Sequence, residues 1–377
     1  VSATVEAKDL AAAAAWATRA APTKPPVPVL AAVPLDVTDG RLTLSGFDFE
    51  VSTTAGVSAD GHLDRVHVNG ALLAQVTGRM SGTVTMTVED NRLVLTAGRK
   101  GRVRLAIVPA DDYPTLPTSP RATGRSQDLA EVFPQVATAC AKGEADLGLP
   151  NVLVRTEPDN GDRVHLYATD RYRMYHAVAE WDGDPIDVSV QGRRGAELFS
   201  ALGGGTVDVG FHDSIVSIGD GARAATILRP AKPLPGMIPG FFTKTWQHGY
   251  VTLPRQPLLD AVKDVSFLAP RTGGGHYLGA HLLVDIHDDG VTLSSAADGL
   301  GDAEWSVDGD ITDTTASPTL RFQSGLLAET VAFIPDPWIR IHLGDQAGRP
   351  VLIDGAPEPG GEPSGRARAV LMPVRDC

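Results

Sequence analysis

Three groups of residues in this 377-residue chain have types and spacing that chemistry could use. Gly273-Gly274-Gly275 has the composition of a phosphate loop, but no Gly-Lys-Ser/Thr follows and no helix pattern opens there, so it reads as a flexible loop. His281, Asp285 and His287 share one parity of a strand, the spacing of a metal-ligating set. Leu282, Val284 and Ile286 take the opposite parity as a core side, which makes the polar set a solvated sheet face. The densest basic run, Gly98-Arg99-Lys100-Gly101-Arg102, lies between strand patterns at Leu93–Leu95 and Val103–Ile107. The glycines bracketing Arg99-Lys100 favour a solvated hairpin turn, with phosphate contact as the alternative. No His-Glu-x-x-His pair and no Gly-x-Ser-x-Gly elbow occurs. Nothing argues for catalysis, and no metal or cofactor is expected.

The elements around these residues recur. An amphipathic helix pattern appears at Asp9–Arg19, at Asp128–Ala141 and at Pro257–Ala269, each beginning beside Asp, Pro or another helix-start residue. After each comes an alternating strand ending in a small-polar turn at an aspartate: LTLSGFD at Asp48, VHLYATD at Asp170 and VTLSSAAD at Asp298. A second helix pattern follows from Gly70, from Gly192 and from Ser324, and a closing hairpin from Asn91, from Ser214 and in the last segment, RPVLIDG with RARAVLMPV. Four features in one order, three times, mark three copies of one unit. Proline-rich joints at Tyr113–Pro120 and Pro230–Phe242 separate them and are expected to run extended. The expected fold is α+β, with two helices and antiparallel sheets in each of three domains, 1–118, 119–246 and 247–377.

Composition narrows the class. With 42% hydrophobic and 21% charged residues, the chain can bury a sizeable core and is neither disordered nor collagen-like. Its two cysteines, Cys140 and Cys377, can build neither a disulfide framework nor a cysteine zinc site, so a reducing compartment is expected. The apolar run Leu10–Ala17 is too short for a membrane span and lacks the basic flank of a signal peptide, so the chain is expected to be soluble and cytoplasmic. The net charge of −13 repels polyanions, so a role on DNA cannot rest on bulk attraction. The helix patterns and their flanks are near neutral, with about eight basic residues against about eight acidic ones. If those helices faced one shared space, it would repel DNA far less than the outside does.

Together, the three repeats, Ala-Thr-Asp-Arg-Tyr-Arg at Ala168–Arg173, the proline-rich second joint and Val-Leu-Met-Pro-Val-Arg at Val370–Arg375 resemble the bacterial β sliding clamps, the processivity subunits of the replicative DNA polymerase III. The stretch from Lys24 through Leu30, Gly40–Ser45, Asp48-Phe49-Glu50 and Ala110–Pro114 is similar to the first clamp domain, and the Asp-Arg-Tyr-Arg form looks actinobacterial. The resemblance covers nearly the whole chain. It implies a head-to-tail homodimer closing a six-domain ring, with helices lining the hole and sheets outside. A topological link holds duplex DNA without strong affinity, which suits an acidic protein. Closure would also pair sheet edges across the dimer interface.

The resemblance further implies a non-catalytic protein without a cofactor. Its partners would be duplex DNA, the polymerase III α subunit, the clamp loader and other clamp-motif proteins, and no membrane. They would dock Gln- and Leu/Phe-containing peptides in a pocket between the second and third domains. The matching positions are Leu149, Thr169, Arg171, Tyr172, Arg173 and Met174, Pro235 in the joint, and Val370, Met372, Pro373, Val374 and Arg375. Leu149, Met174, Val370 and Met372 would form an apolar hole, with Arg173 and Arg375 meeting carbonyls or acidic residues of the peptide. For DNA, Lys24 matches a basic loop position of the family, while Arg79, Lys142, Arg193, Arg194 and Lys263 are candidates by helix placement. The sequence departs from the family at Leu234–Pro239, where clamps carry Phe-Pro-Asp-Tyr and an arginine, and at Gly355–Gly365, expected to be a disordered hairpin tip. A diverged second copy with an altered pocket is the alternative function, and a β-rich binding protein or hydrolase the distant one.

Overall fold

The computed structural model describes residues 2–25, 27–98, 101–109, 111–143, 147–157, 160–212, 214–243, 249–267, 281–297, 301–312, 319–343 and 348–374. Among them are six α-helices: α1 Ala7–Ala17, α2 Gly70–Thr77, α3 Leu129–Ala137, α4 Gly192–Leu202, α5 Arg255–Ser266 and α6 Ser324–Phe333. None of the described helices is long and apolar enough to cross a membrane. Strands of the described residues join in four antiparallel sheets, two of nine strands, one of five and one of four.

The chain divides into two compact units. The first comprises Val1–Glu131, Trp181–Asp184 and Arg194–Pro230, the second Val132–Glu180, Pro185–Arg193 and Ala231–Cys377. The divide cuts through the segment expected as 119–246, whose strands are shared out. In the first unit, Arg223–Leu228 pairs with Val51–Ser58, so strands of the first and middle thirds form one nine-stranded sheet. In the second unit, Arg173–Glu180 pairs with Ala367–Leu371 and makes the other nine-stranded sheet in the same way. Each join covers edges that separate sheets would leave open.

Helix placement follows from close packing on these sheets. In the first unit, α1 buries Leu10, Ala13, Ala14, Trp16 and Ala17. A β-carbon on Gly46 would overlap the Ala17 carbonyl, so only glycine lets α1 lie this close to its sheet. The Trp16 indole donates to Ala224 O at 3.0 Å, and the Thr53 hydroxyl to Ala17 O at 2.9 Å. Helix α2 is capped by Asn69, which accepts from Leu72 N at 2.9 Å, and α6 by Gln323, which accepts from Leu326 N at 3.1 Å. The expected helix at Asp128–Ala141 spans Leu129–Ala137 with Pro134 inside it, and beyond Ala137 the amides of Thr138, Ala139 and Cys140 turn to carbonyls three residues back, so the helix tightens and ends. The second joint is not extended throughout: Ile238–Phe241 forms a 3-10 turn that tolerates Pro239 in its first positions.

Gly355–Gly365, expected to be a disordered tip, is a tied loop. Ser364 N donates to Gly355 O at 2.9 Å, the Ser364 hydroxyl to Asp336 at 2.8 Å, and Arg340 to Gly361 O at 3.3 Å. His281–His287 alternates as expected, with Leu282, Val284 and Ile286 buried. The described residues hold no cluster of metal-ligating side chains. Gly98 and Gly101 flank the turn between Arg92–Ala97 and Gly101–Ala106, with Arg99 and Lys100 outside the described residues, as are Gly273–Gly275.

Candidate functional site

The site residues of the second unit are organised by the turn Asp170–Arg173. The Asp170 carboxylate accepts the amides of Tyr172 and Arg173, each at 3.0 Å, while Thr169 Oγ1 accepts from Arg171 N at 3.1 Å and donates to Arg173 O at 2.7 Å. This net holds Arg171 at φ +81°, a left-handed conformation uncommon for a non-glycine residue. Asp48 and Asp220 make the same turn, each accepting two amides, with positive φ at Phe49 and Gly221. At Asp170 and Asp220, though not at Asp48, the turn reads Asp-x-x-Arg, and there the arginine reaches a helix end. Arg173 donates to Thr138 O just past α3 at 2.7 Å, and Arg223 to Ala201 O and Leu202 O of α4 at 2.8 Å each.

Arg173 is tied into the fold on several sides. Only 5% exposed, it also donates to Asp170 Oδ2 at 3.2 Å, to the Tyr175 hydroxyl at 3.2 Å and to Glu329 of α6. Its donors are committed to holding helices on the sheet. Arg171 and Tyr172 are the exposed members of the turn, and the Tyr172 carbonyl accepts from Met372 N at 2.8 Å.

Cross-strand register builds an apolar row from distant parts of the sequence. Thr169 lies opposite Met174, Met174 opposite Val370, and Val370 opposite Leu352. Leu153 and Tyr167 pair in the neighbouring row. Against these residues pack Leu149 and, from the second joint, Leu234, Ile238 and Phe242, with Met174 and Phe241 partly covered. The joint is fastened where it approaches: Asn151 donates to Gly148 O at 3.0 Å and to Lys232 O at 2.9 Å, and Leu234 N donates to Ser189 Oγ at 3.1 Å. Gly148 has φ +75°, and a β-carbon there would overlap the Pro233 carbonyl.

Phe242 also closes an aromatic stack. Its ring lies 5.9 Å from Tyr167 and 5.3 Å from His176, and His176 stacks on both Tyr167 and His165. His165 Nδ1 and His176 Nε2 are 2.9 Å apart. Burial, with His165 and Arg368 adding to it, depresses the His176 pKa to about 3, and burial raises Tyr167 to about 12. Both groups are neutral at pH 7, which suits an apolar surface.

Of the sequence-predicted pocket residues, Leu149, Thr169, Val370 and Pro373 are buried, whereas Met174, Pro235, Met372 and Val374 are half-buried. Val374 N donates to Arg321 O at 2.7 Å, while Arg375 lies outside the described residues. Sequence reasoning missed Tyr167, Leu234, Ile238, Phe242 and Leu352. Alternation along Val164–Ala168 could have flagged Tyr167; the joint residues carry no periodic signal.

The candidate DNA-facing residues are spread over both units. Lys24, Arg79, Lys142 and Lys263 are exposed, on loops or helix ends. Arg193 and Arg194 open α4, but Arg194 is occupied within the first unit, pairing with Asp48 and, at 3.2 Å, with Glu197.

Residues 1–117 match the family described as DNA polymerase III beta subunit, N-terminal domain. The chain is 32% identical to the beta sliding clamp of Micrococcus luteus over 59% of this chain and 74% of that protein. It is 28% identical to the beta sliding clamp of Streptomyces coelicolor over 98% of each chain. Across the same shares it is 26% identical to the beta sliding clamp homolog GriR of Streptomyces muensis. Among solved structures, the DNA polymerase sliding clamp from Bacillus subtilis superposes with a TM-score of 0.88 at 16% identity, covering 100% of this chain and 99% of that one.

Proposed function

The chain belongs to the bacterial DNA polymerase III β-subunit, or β sliding clamp, family, and from that premise we propose how it works. It is a non-catalytic processivity factor: two copies, each of three repeats over 1–118, 119–246 and 247–377, close head to tail into a cytoplasmic ring around duplex DNA. The net charge of −13 fits retention by enclosure better than retention by affinity. Exposed Lys24, Arg79, Lys142 and Lys263 would meet phosphates transiently, as would Arg193 and Arg194.

The observation that carries the reading is the joining of the Asp170 turn, the Val370 strand and the second joint around one apolar row. Met174 and Met372, both half-buried, line the entrance with adaptable thioethers suited to Leu and Phe anchors of differing shape. Partners would be the polymerase III α subunit, the clamp loader, whose ATP opens the ring, and other proteins bearing a clamp motif. A fluorescence-anisotropy titration with a short Gln- and Leu/Phe-containing clamp peptide tests this. Binding should saturate, and Met372→Ala should weaken it by about 1 kcal/mol or more. Equal binding by both proteins would displace the site from Met372.

One observation favours a second reading, a specialised copy. Leu234 and Ile238, in the segment where the family's Phe-Pro-Asp-Tyr is absent, pack into the apolar row themselves, with Phe242 just beyond. Exchanging Leu234–Pro239 for the family pattern should then change which peptides bind. Unchanged selectivity would remove the reading.

A further inference from the structure

The strand register of the first unit repeats that of the second at a constant offset. Arg41 pairs with Ser58, Thr43 with Gly56 and Ser45 with Thr54, as Arg163 pairs with Glu180, His165 with Val178 and Tyr167 with His176. The next ladder continues the match: Thr54 lies opposite Ala224 as His176 lies opposite Arg368. Asp48 and Asp170 close the two hairpins with the same turn. In the second unit, His165, Tyr167, His176, Val178 and Arg368 fill one face of the sheet. The first unit has Thr43, Ser45, Thr54, Gly56 and Ala224 at those positions. Five larger side chains are replaced by five small ones, and four of these, Thr43, Thr54, Gly56 and Ala224, line a hollow of about 340 Å³.

Among the described residues the hollow carries one uncompensated charge. Of its other charged residues, Arg223 is held by Asp220 at 2.8 Å, and Asp208 lies 3.7 Å from Arg125. Arg41 has no hydrogen-bond or ion-pair partner among the described residues. Its guanidinium lies against Gly56, with Nε, Nη2 and Cζ where any β-carbon would overlap them. That seat requires glycine at 56 and keeps the Arg41 side chain in the lining of the hollow. Thr43, on the same face, also has a hydroxyl without a partner among the described residues. The Thr54 hydroxyl is shared only with Ser45, at 3.2 Å. The first joint walls one side, Ser119 bonding Thr226 at 2.6 Å and Pro120 O accepting from Ser217 at 3.0 Å. A guanidinium beside threonine hydroxyls, with no unpaired carboxylate among the described lining residues, suits a planar or tetrahedral oxyanion.

We propose that this hollow is a second ligand site, binding a carboxylate or phosphate group through Arg41, with Thr43 and Thr54 donating from the sheet. It lies in the first unit and is independent of the peptide site.

Inorganic phosphate and succinate are titrated separately into the full chain at constant ionic strength, with chloride as the control, and the unfolding midpoint is followed. At least one oxyanion should raise the midpoint saturably. Arg41→Gln, a change at an exposed side chain, should weaken the apparent affinity about tenfold or more. Gly56→Val, which restores the bulk found at Val178, should do the same; if that variant fails to fold, Arg41→Gln decides alone. A response to phosphate alone assigns a phosphate ester, and one to succinate alone a carboxylate. A response no greater than chloride's, or one that Arg41→Gln leaves intact, overturns the proposal.

Discussion

Arg173→Ala should destabilise the second unit rather than merely weaken peptide binding. The side chain is 5% exposed, as is its Asp170 partner, so the substitution leaves a buried carboxylate without its guanidinium. Breaking such a pair costs about 3–5 kcal/mol. The Thr138 carbonyl also loses its guanidinium donor, for about 1–3 kcal/mol if no water replaces it. These losses share one side chain and are not additive, so about 4 kcal/mol is expected in total. The Glu329 carboxylate is 60% exposed, and its share is at most about 1 kcal/mol. Glu329→Ala should therefore cost far less than Arg173→Ala. Urea unfolding of both variants, followed by near-ultraviolet circular dichroism, measures the difference. If Arg173→Ala kept wild-type stability while losing peptide affinity, the guanidinium would serve the ligand and the structural assignment would be wrong.

Other consequences follow from the same unit. Phe242→Ala removes the ring that closes the Tyr167–His176 stack and should cost about 3 kcal/mol in the same unfolding assay, with a cost below 1 kcal/mol contradicting its anchoring role. His176 should make the protein acid-sensitive. Its native pKa of about 3 lies below the unfolded value of 6.5, so the unfolded chain takes up a proton first as pH falls. Stability is intact above about pH 6.5 and declines towards pH 3 by about 1.4 kcal/mol per unit. His176→Gln should flatten that decline between pH 6 and 4, and an unchanged slope would assign the sensitivity elsewhere. Burial raises the Cys140 thiol to about 12, so peptide mapping after brief alkylation at pH 8 should find it largely unmodified in the folded protein and modified in urea.

Much of this was legible in the residues. Helices α4 and α6 begin and end where their apolar spacing says, and the recurring strand-Asp turn is visible at Asp48 and Asp170. What the sequence hid is non-local. No pattern says that Arg223–Leu228 will pair with Val51–Ser58, since strand alternation fixes a face and not a partner. The partners of Arg173 were hidden in the same way: nothing in the sequence says that the guanidinium will bond Thr138 and Glu329. The joint misled for a local reason, because Pro239 disfavours a long helix yet sits readily in the first positions of a 3-10 turn.

The claim of a ring closed around DNA is tested most directly by topology. The protein is loaded by a clamp loader with ATP onto nicked circular duplex, passed through gel filtration in high salt, and compared before and after a restriction enzyme linearises the DNA. Enclosure predicts that it stays with the circle and is lost once ends are available. Equal retention on circular and linear DNA, or release from both at the same rate, would contradict the account.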